Sequence, residues 1–301
     1  MKNNTIIEVT PQGFCGGVMK AIQIAKEVRI QHPEATITIL GNLVHNEYVK
    51  KALSAMEIHT IEDPKKTRLE LLEDVPSGIV IFTAHGVAPA LYERAKEKGL
   101  VVYDASCPFV LQTQKIVQEK LKEGYSIFYI GKNHHPEAES IYTLSDAVFL
   151  IEKEADIPQD IENKIFVTNQ TTMSTLEIQE LFDAIEERYP NALFNNEICN
   201  ATRIRQEAIL KLKDQAIDLL IVVGDPHSNN TNKLASIGKK AGIPQVLLVQ
   251  TLQELKSYNL DLNEQKIAIT SGASTPKYLT DQIVQYLKTN TDEPFDLKKV
   301  L

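Results

Sequence analysis

No apolar run in this sequence approaches the roughly 20 residues that a bilayer-spanning helix requires. Basic residues are in deficit as well: 32 Lys and Arg against 40 Asp and Glu leave a formal net charge of −8. That balance argues against a general nucleic-acid binder, which is usually basic. No low-complexity linker interrupts the chain, and a polar tail begins only at Thr289. Cysteine is scarce, three in 301 residues, an odd number that cannot pair off fully. Residues 1–5 run straight into a strand pattern without a signal-peptide core. The expected location is therefore the cytoplasm, where thiols stay reduced.

The cysteines that are present carry the most information. Cys15, Cys107 and Cys199 are evenly spaced by 92 residues (107 − 15 and 199 − 107). Each follows a short apolar or β-rich run (6–9, 100–103 and 192–194) and precedes a helical pattern (18–30, 110–122 and 203–213). Gly16 and Gly17 let backbone N–H groups approach a sulfide closely, and Pro108 turns the chain away from a ligand. A single free cysteine in such a chain more often only packs. Three at equal intervals, in polar and glycine-rich settings, read instead as a set of soft ligands for iron–sulfur or zinc, with a fourth position left open.

The rest of the chain repeats in step. β-rich runs at 36–40, 126–130 and 219–223 end in Gly41, Gly131 and Gly224 and open into polar loops. Second runs at 78–83, 164–168 and 266–270 lead into the loops at His85, Thr171 and Ser274. Near-continuous apolar strands alternating with amphipathic helices, such as 231–240, predict buried parallel sheets whose carboxyl ends carry the ligand-binding loops. The fold expected is α/β: three similar small domains with mainly parallel sheets, arranged pseudo-threefold around a shared central pocket, with a two-domain doubly wound fold as the competitor at this length. The expected boundaries are 1–106 (with the N-terminal strand), 107–198 and 199–288, with a tail at 289–301.

Five of the seven histidines (His45, His85, His134, His135 and His227) lie in these loops, beside Ser, Thr, Asn and Gly. Imidazoles, hydroxyls, amides and helix N-termini together suit a phosphate or diphosphate, so the binding charge is local in an acidic chain. His32 and His59 read as structural. Glu137, two residues past His135, reads equally as a general acid or as an exposed helix-start glutamate favoured by the dipole.

The motifs Gly13-Phe14-Cys15-Gly16-Gly17, Val44-His45-Asn46, Ala84-His85-Gly86, Ser106-Cys107-Pro108, His135-Pro136-Glu137, Gln170-Thr171-Thr172, Cys199-Asn200-Ala201-Thr202 and Ser271-Gly272-Ala273-Ser274 occur in this order. Together they resemble the 4-hydroxy-3-methylbut-2-enyl diphosphate reductases of the non-mevalonate isoprenoid pathway, over about residues 7–287. The resemblance implies one 4Fe–4S cluster per chain on Cys15, Cys107 and Cys199, its fourth iron taking the substrate's allylic hydroxyl. It implies two single-electron deliveries from a ferredoxin or flavodoxin, which remove the hydroxyl as water. It also implies that His45, His85, His135, Ser228, Asn230 and Ser274 clamp the diphosphate, that Glu137 feeds protons, and that Thr171 orders the hydroxyl. Asn229 stands where the family often has a second serine, so its contact to diphosphate is the weaker expectation, and Asn169 replaces a common threonine. An iron–sulfur hydro-lyase is the first alternative, but it would need arginine clamps that these loops lack. A non-enzymatic iron–sulfur or zinc sensor is the second, and it leaves the loop histidines without a task.

Overall fold

The computed structural model describes residues 4–260, 262 and 264–301. In chain order the elements are β1 (Thr5–Glu8), α1 (Gly16–Gln31), β2 (Ile37–Leu40), α2 (Glu47–Ser54), β3 (Ile58–Ile61), α3 (Arg68–Glu73), β4 (Ile79–Phe82), α4 (Pro89–Glu97), β5 (Val101–Asp104), α5 (Pro108–Lys122), β6 (Ser126–Ile130) and α6 (Pro136–Tyr142). They continue with β7 (Val148–Ile151), β8 (Ile165–Asn169), α7 (Thr175–Arg188), β9 (Leu193–Phe194), α8 (Asn200–Leu210), β10 (Leu219–Val223), α9 (Asn229–Lys240), β11 (Gln245–Val249), α10 (Leu252–Ser257), β12 (Lys266–Ser271) and α11 (Lys277–Thr289).

The strands form three four-stranded sheets in the orders β3-β2-β4-β5, β7-β6-β8-β9 and β11-β10-β12-β1, and every pairing is parallel. The order is the same each time, so the α/β repeat expected from the sequence is present. Strands inside the sheets, such as Leu219–Val223 and Ile79–Phe82, are buried along their whole length. A parallel strand covered by helices on both faces needs apolar side chains at every position, not at alternate ones.

The structure differs from the sequence reading in three ways. Edge strands β3, β7 and β11 had no counterpart in it: His59 and Thr60 interrupt β3, while the apolar runs of β7 (Val148–Ile151) and β11 (Gln245–Val249) lie outside the two strands per unit that the repeat predicts. The helices after the cysteines start two or three residues earlier than the apolar pattern does. Glycine, proline and asparagine open them, which that pattern does not register. The N-terminal strand, grouped by expectation with residues 1–106, pairs with β12 (Thr5↔Lys266 to Glu8↔Ile269) and so closes the sheet of the last third.

The chain divides into two compact bodies. One comprises Met1–Met19, His45–Ala55 and Asn200–Leu301 and contains the β11-β10-β12-β1 sheet. Its core joins Leu219, Ile221 and Val223 to Ile267, Ile269, Leu279 and Ile283. The other comprises Lys20–Val44 and Met56–Cys199 and contains the remaining two sheets. Its cores centre on Val80, Phe82 and Leu91 and on Phe128, Val167 and Ile185.

Candidate active site

Each cysteine follows the last strand of its sheet: Cys15 after β1, Cys107 after β5 and Cys199 after β9. One hydrogen bond then recurs three times. The amide of Cys15 donates to Ala273 O (2.9 Å), that of Cys107 to Ala84 O (3.0 Å) and that of Cys199 to Thr171 O (3.1 Å). Every acceptor lies two residues past a sheet strand, β12, β4 or β8. None of the three cysteines forms a disulfide, all are half-buried, and a helix starts at the next residue. A Cβ on Gly16 would meet no atom within 4 Å, so the start of α1 beside Cys15 leaves room for a bulky group. Soft thiols held alike at helix starts fit an iron–sulfur cluster as a donor set.

Glu137 is not the exposed helix-start residue of the alternative reading, being 1% exposed. It occupies the second position of α6, with both carboxylate oxygens turned to one residue. Thr171 N donates to Oε1 (2.7 Å) and Thr171 Oγ1 donates to Oε2 (3.0 Å). Burial pushes its pKa up to about 7, while the two Thr171 bonds pull the other way. Thr171 thus joins Glu137 to Cys199, since its carbonyl accepts the Cys199 amide.

His135 caps α6, and its Nδ1 accepts the Glu137 N–H at 3.2 Å. An accepting Nδ1 fixes the tautomer, so the ring proton sits on Nε2, which is a donor. His85 stands edge-on to it, with ring centroids 5.4 Å apart at 90°. A Cβ on Gly86 would lie 2.8 Å from Val110 Cγ1, so only glycine lets this loop lie against α5. His134 and His227 do not share this setting: His134 is an exposed residue with φ 58°, and the His227 side chain is 88% exposed beside Asp225. His32 bonds Tyr103 and His59 lies exposed on β3, both outside the site.

In the other body a second polar cluster forms. α9 begins at Asn229, two residues before the apolar pattern, with Ser228 as its N-cap. This puts Asn229 and Asn230 in the first turn of a helix whose N-terminus favours anions. Ser274 Oγ donates to His45 O (3.0 Å) and lies 3.5 Å from Ser228 Oγ. The Asn230 amide is engaged at both ends, accepting from Ala273 N (2.9 Å) and donating to Thr202 Oγ1 (3.2 Å), so one N–H remains. Sequence reasoning missed Asp225, which is 5% exposed and accepts from Glu47 N (2.9 Å) and His227 N (2.8 Å). Its bond to Glu47 N holds the His45–Asn46 turn. A carboxylate directly after the Gly224 strand end was the available signal.

The LytB protein family profile matches residues 6–288. A 4-hydroxy-3-methylbut-2-enyl diphosphate reductase from Bacillus pumilus is 44% identical over 287 residues, covering 94% of this chain and 90% of the relative. One of the same name from Macrococcus caseolyticus is 43% identical over 289 residues, covering 94% and 88%. Among solved structures, the E-1-hydroxy-2-methyl-but-2-enyl-4-diphosphate reductase of Plasmodium falciparum superposes with a TM-score of 0.87 at 33% identity, covering 95% of this chain and 89% of that one. A structure described as (E)-4-hydroxy-3-methyl-but-2-enyl diphosphate reductase, the terminal enzyme of the non-mevalonate pathway, gives 0.65 at 27% identity, covering 96% and 99%.

Proposed function

We infer the function from one premise: this chain belongs to the LytB protein family. We propose that it converts 4-hydroxy-3-methylbut-2-enyl diphosphate, two electrons and two protons into isopentenyl or dimethylallyl diphosphate and water. The hydrogen bond that recurs at Cys15, Cys107 and Cys199 supports this reading most directly, because it presents three cysteines in equivalent settings.

The family implies an iron–sulfur cofactor, and we assign it as one 4Fe–4S cluster on these cysteines, one from each of 1–106, 107–198 and 199–288. When bound, the cluster supplies the electrons and a Lewis-acidic iron for the substrate hydroxyl. The protein's own groups do the rest. In the ionised carboxylate both oxygens of Glu137 accept from Thr171; once Oε2 takes up a proton, the Thr171 hydroxyl turns to accept from it, which frees the hydroxyl's own hydrogen. That hydroxyl then passes its own hydrogen to the departing oxygen, and the carboxyl replaces it. With a pKa near 7 the carboxyl is both proton-loaded and willing to release at neutral pH. His45, His85, His135, Ser228, Asn230 and Ser274 hold the diphosphate, His135 through its Nε2–H, and Asn229 adds a further amide. A ferredoxin or flavodoxin delivers the electrons one at a time, in the cytoplasm. No helix among the described residues is long and apolar enough to cross a membrane.

Anaerobic purification with iron, sulfide and zinc quantified, followed by a reduced-dye assay on the diphosphate, tests this. About four irons and four sulfides per chain, with substrate-dependent dye oxidation, is the expected result. Stoichiometric zinc without turnover would overturn it.

A further inference from the structure

Arg205 is 3% exposed, and its guanidinium lies on α8, the helix that begins one residue after Cys199. Nη2 donates to Gly13 O at 2.7 Å, and Nη1 donates to Ala201 O at 3.0 Å. Gly13 lies two residues before Cys15 and has φ 78°, a conformation that favours glycine. Its amide is held too, by Ser271 Oγ at 2.8 Å. The Cys15 turn is therefore pinned at three points: Gly13 N on β12, Gly13 O on Arg205, and Cys15 N on Ala273 O. Burying a guanidinium is costly unless its hydrogens are satisfied. Two differently directed acceptors suit the planar fork of arginine; a lysine ammonium has no such fixed geometry.

We propose that Arg205 is a positioning residue that holds the Cys15 turn to the helix after Cys199, and that its buried charge makes the bound cluster easier to reduce. The inference rests on the three-cysteine cluster reading above. Each reduction step adds negative charge to the cluster. A fixed cation in a poorly solvated setting stabilises the reduced form more than the oxidised one. Residues that orient metal ligands from behind also slow loss of the metal.

The test compares wild type, R205Q and R205K, each loaded anaerobically. Iron and sulfide content, the rate of iron release to a chelator, and the midpoint potential by spectroscopic redox titration are measured. R205Q is expected to release iron on the order of tenfold faster and to show a more negative potential. R205K keeps the charge but not the fork, so it is expected to release iron fast while recovering the wild-type potential. R205Q matching wild type in both readouts, or R205K as shifted in potential as R205Q, would overturn the proposal. If R205Q cannot be purified, R205K decides alone, and wild-type iron release from it counts against Arg205. A wild-type protein that holds no iron would instead refute the cluster reading, before any variant is compared.

Discussion

At the scale of single residues, the proposed proton supply rests on Glu137 and Thr171. Glu137→Gln keeps the shape but removes the titrating proton, so kcat is expected to fall by about 100-fold or more with little change in KM. Steady-state kinetics checks this, and an equal rise in KM would mark Glu137 as a binding group. The same residue makes stability pH-dependent. Its folded pKa is raised from 4.5 to about 7, so the protonated form is the one that folding favours. The contribution is fully present below about pH 4.5 and is lost as pH rises through 7, a swing of about 3 kcal/mol. Glu137→Gln should therefore gain stability relative to wild type between pH 5 and pH 8, which denaturation at the two pH values would show. Thr171→Val keeps the amide bond to Oε1 but removes the hydroxyl bond that lowers the Glu137 pKa. The basic limb of its pH–rate profile is expected to move to higher pH. In the sequence, spacing alone left Glu137 between acid and exposed cap. Desolvation decides, and it depends on residues such as Thr171 that lie 34 positions away.

Among the elements, helix starts carry the candidate site. Asn46 caps α2, its Oδ1 accepting from Tyr48 N and Val49 N at 3.1 Å each. Asn46→Ala is expected to cost about 1 kcal/mol, and because His45 is the preceding residue, the KM for the diphosphate should rise as well. Denaturant titration and kinetics together check both effects. Inner strands were legible because burial on both faces forces an unbroken apolar run, as in Leu219–Val223. The edge strand Ile58–Ile61 contains His59 and Thr60 and has one fully buried position, so it carries no such run. The early starts of α8 and α9 were hidden for a related reason: Asn200, Asn229 and Asn230 suit a helix's first turn but add nothing to an apolar stripe.

For the whole molecule, the repeat makes a symmetric prediction. Cys15→Ser, Cys107→Ser and Cys199→Ser each remove one thiolate from an equivalent setting, so all three proteins are expected to lose most of their iron and nearly all activity. Iron analysis of the three variants is the measurement, and a fully iron-loaded Cys199→Ser protein would refute the three-thiolate assignment. The sequence by itself determined the chemistry and the repeat: three evenly spaced thiols, loops rich in His, Ser and Asn, and apolar runs that could only be sheet interiors. Side-chain type and local period carry that information, and both are written in the chain. Tertiary structure alone decided that β1 closes the sheet of β12, some 261 residues downstream (266 − 5). It alone also made Glu137 a buried acid, exposed Asp225 as the clasp on the His45 turn, and put Arg205 behind Gly13. Strand partnership and desolvation depend on which distant groups fold against a residue, and a local pattern does not encode that.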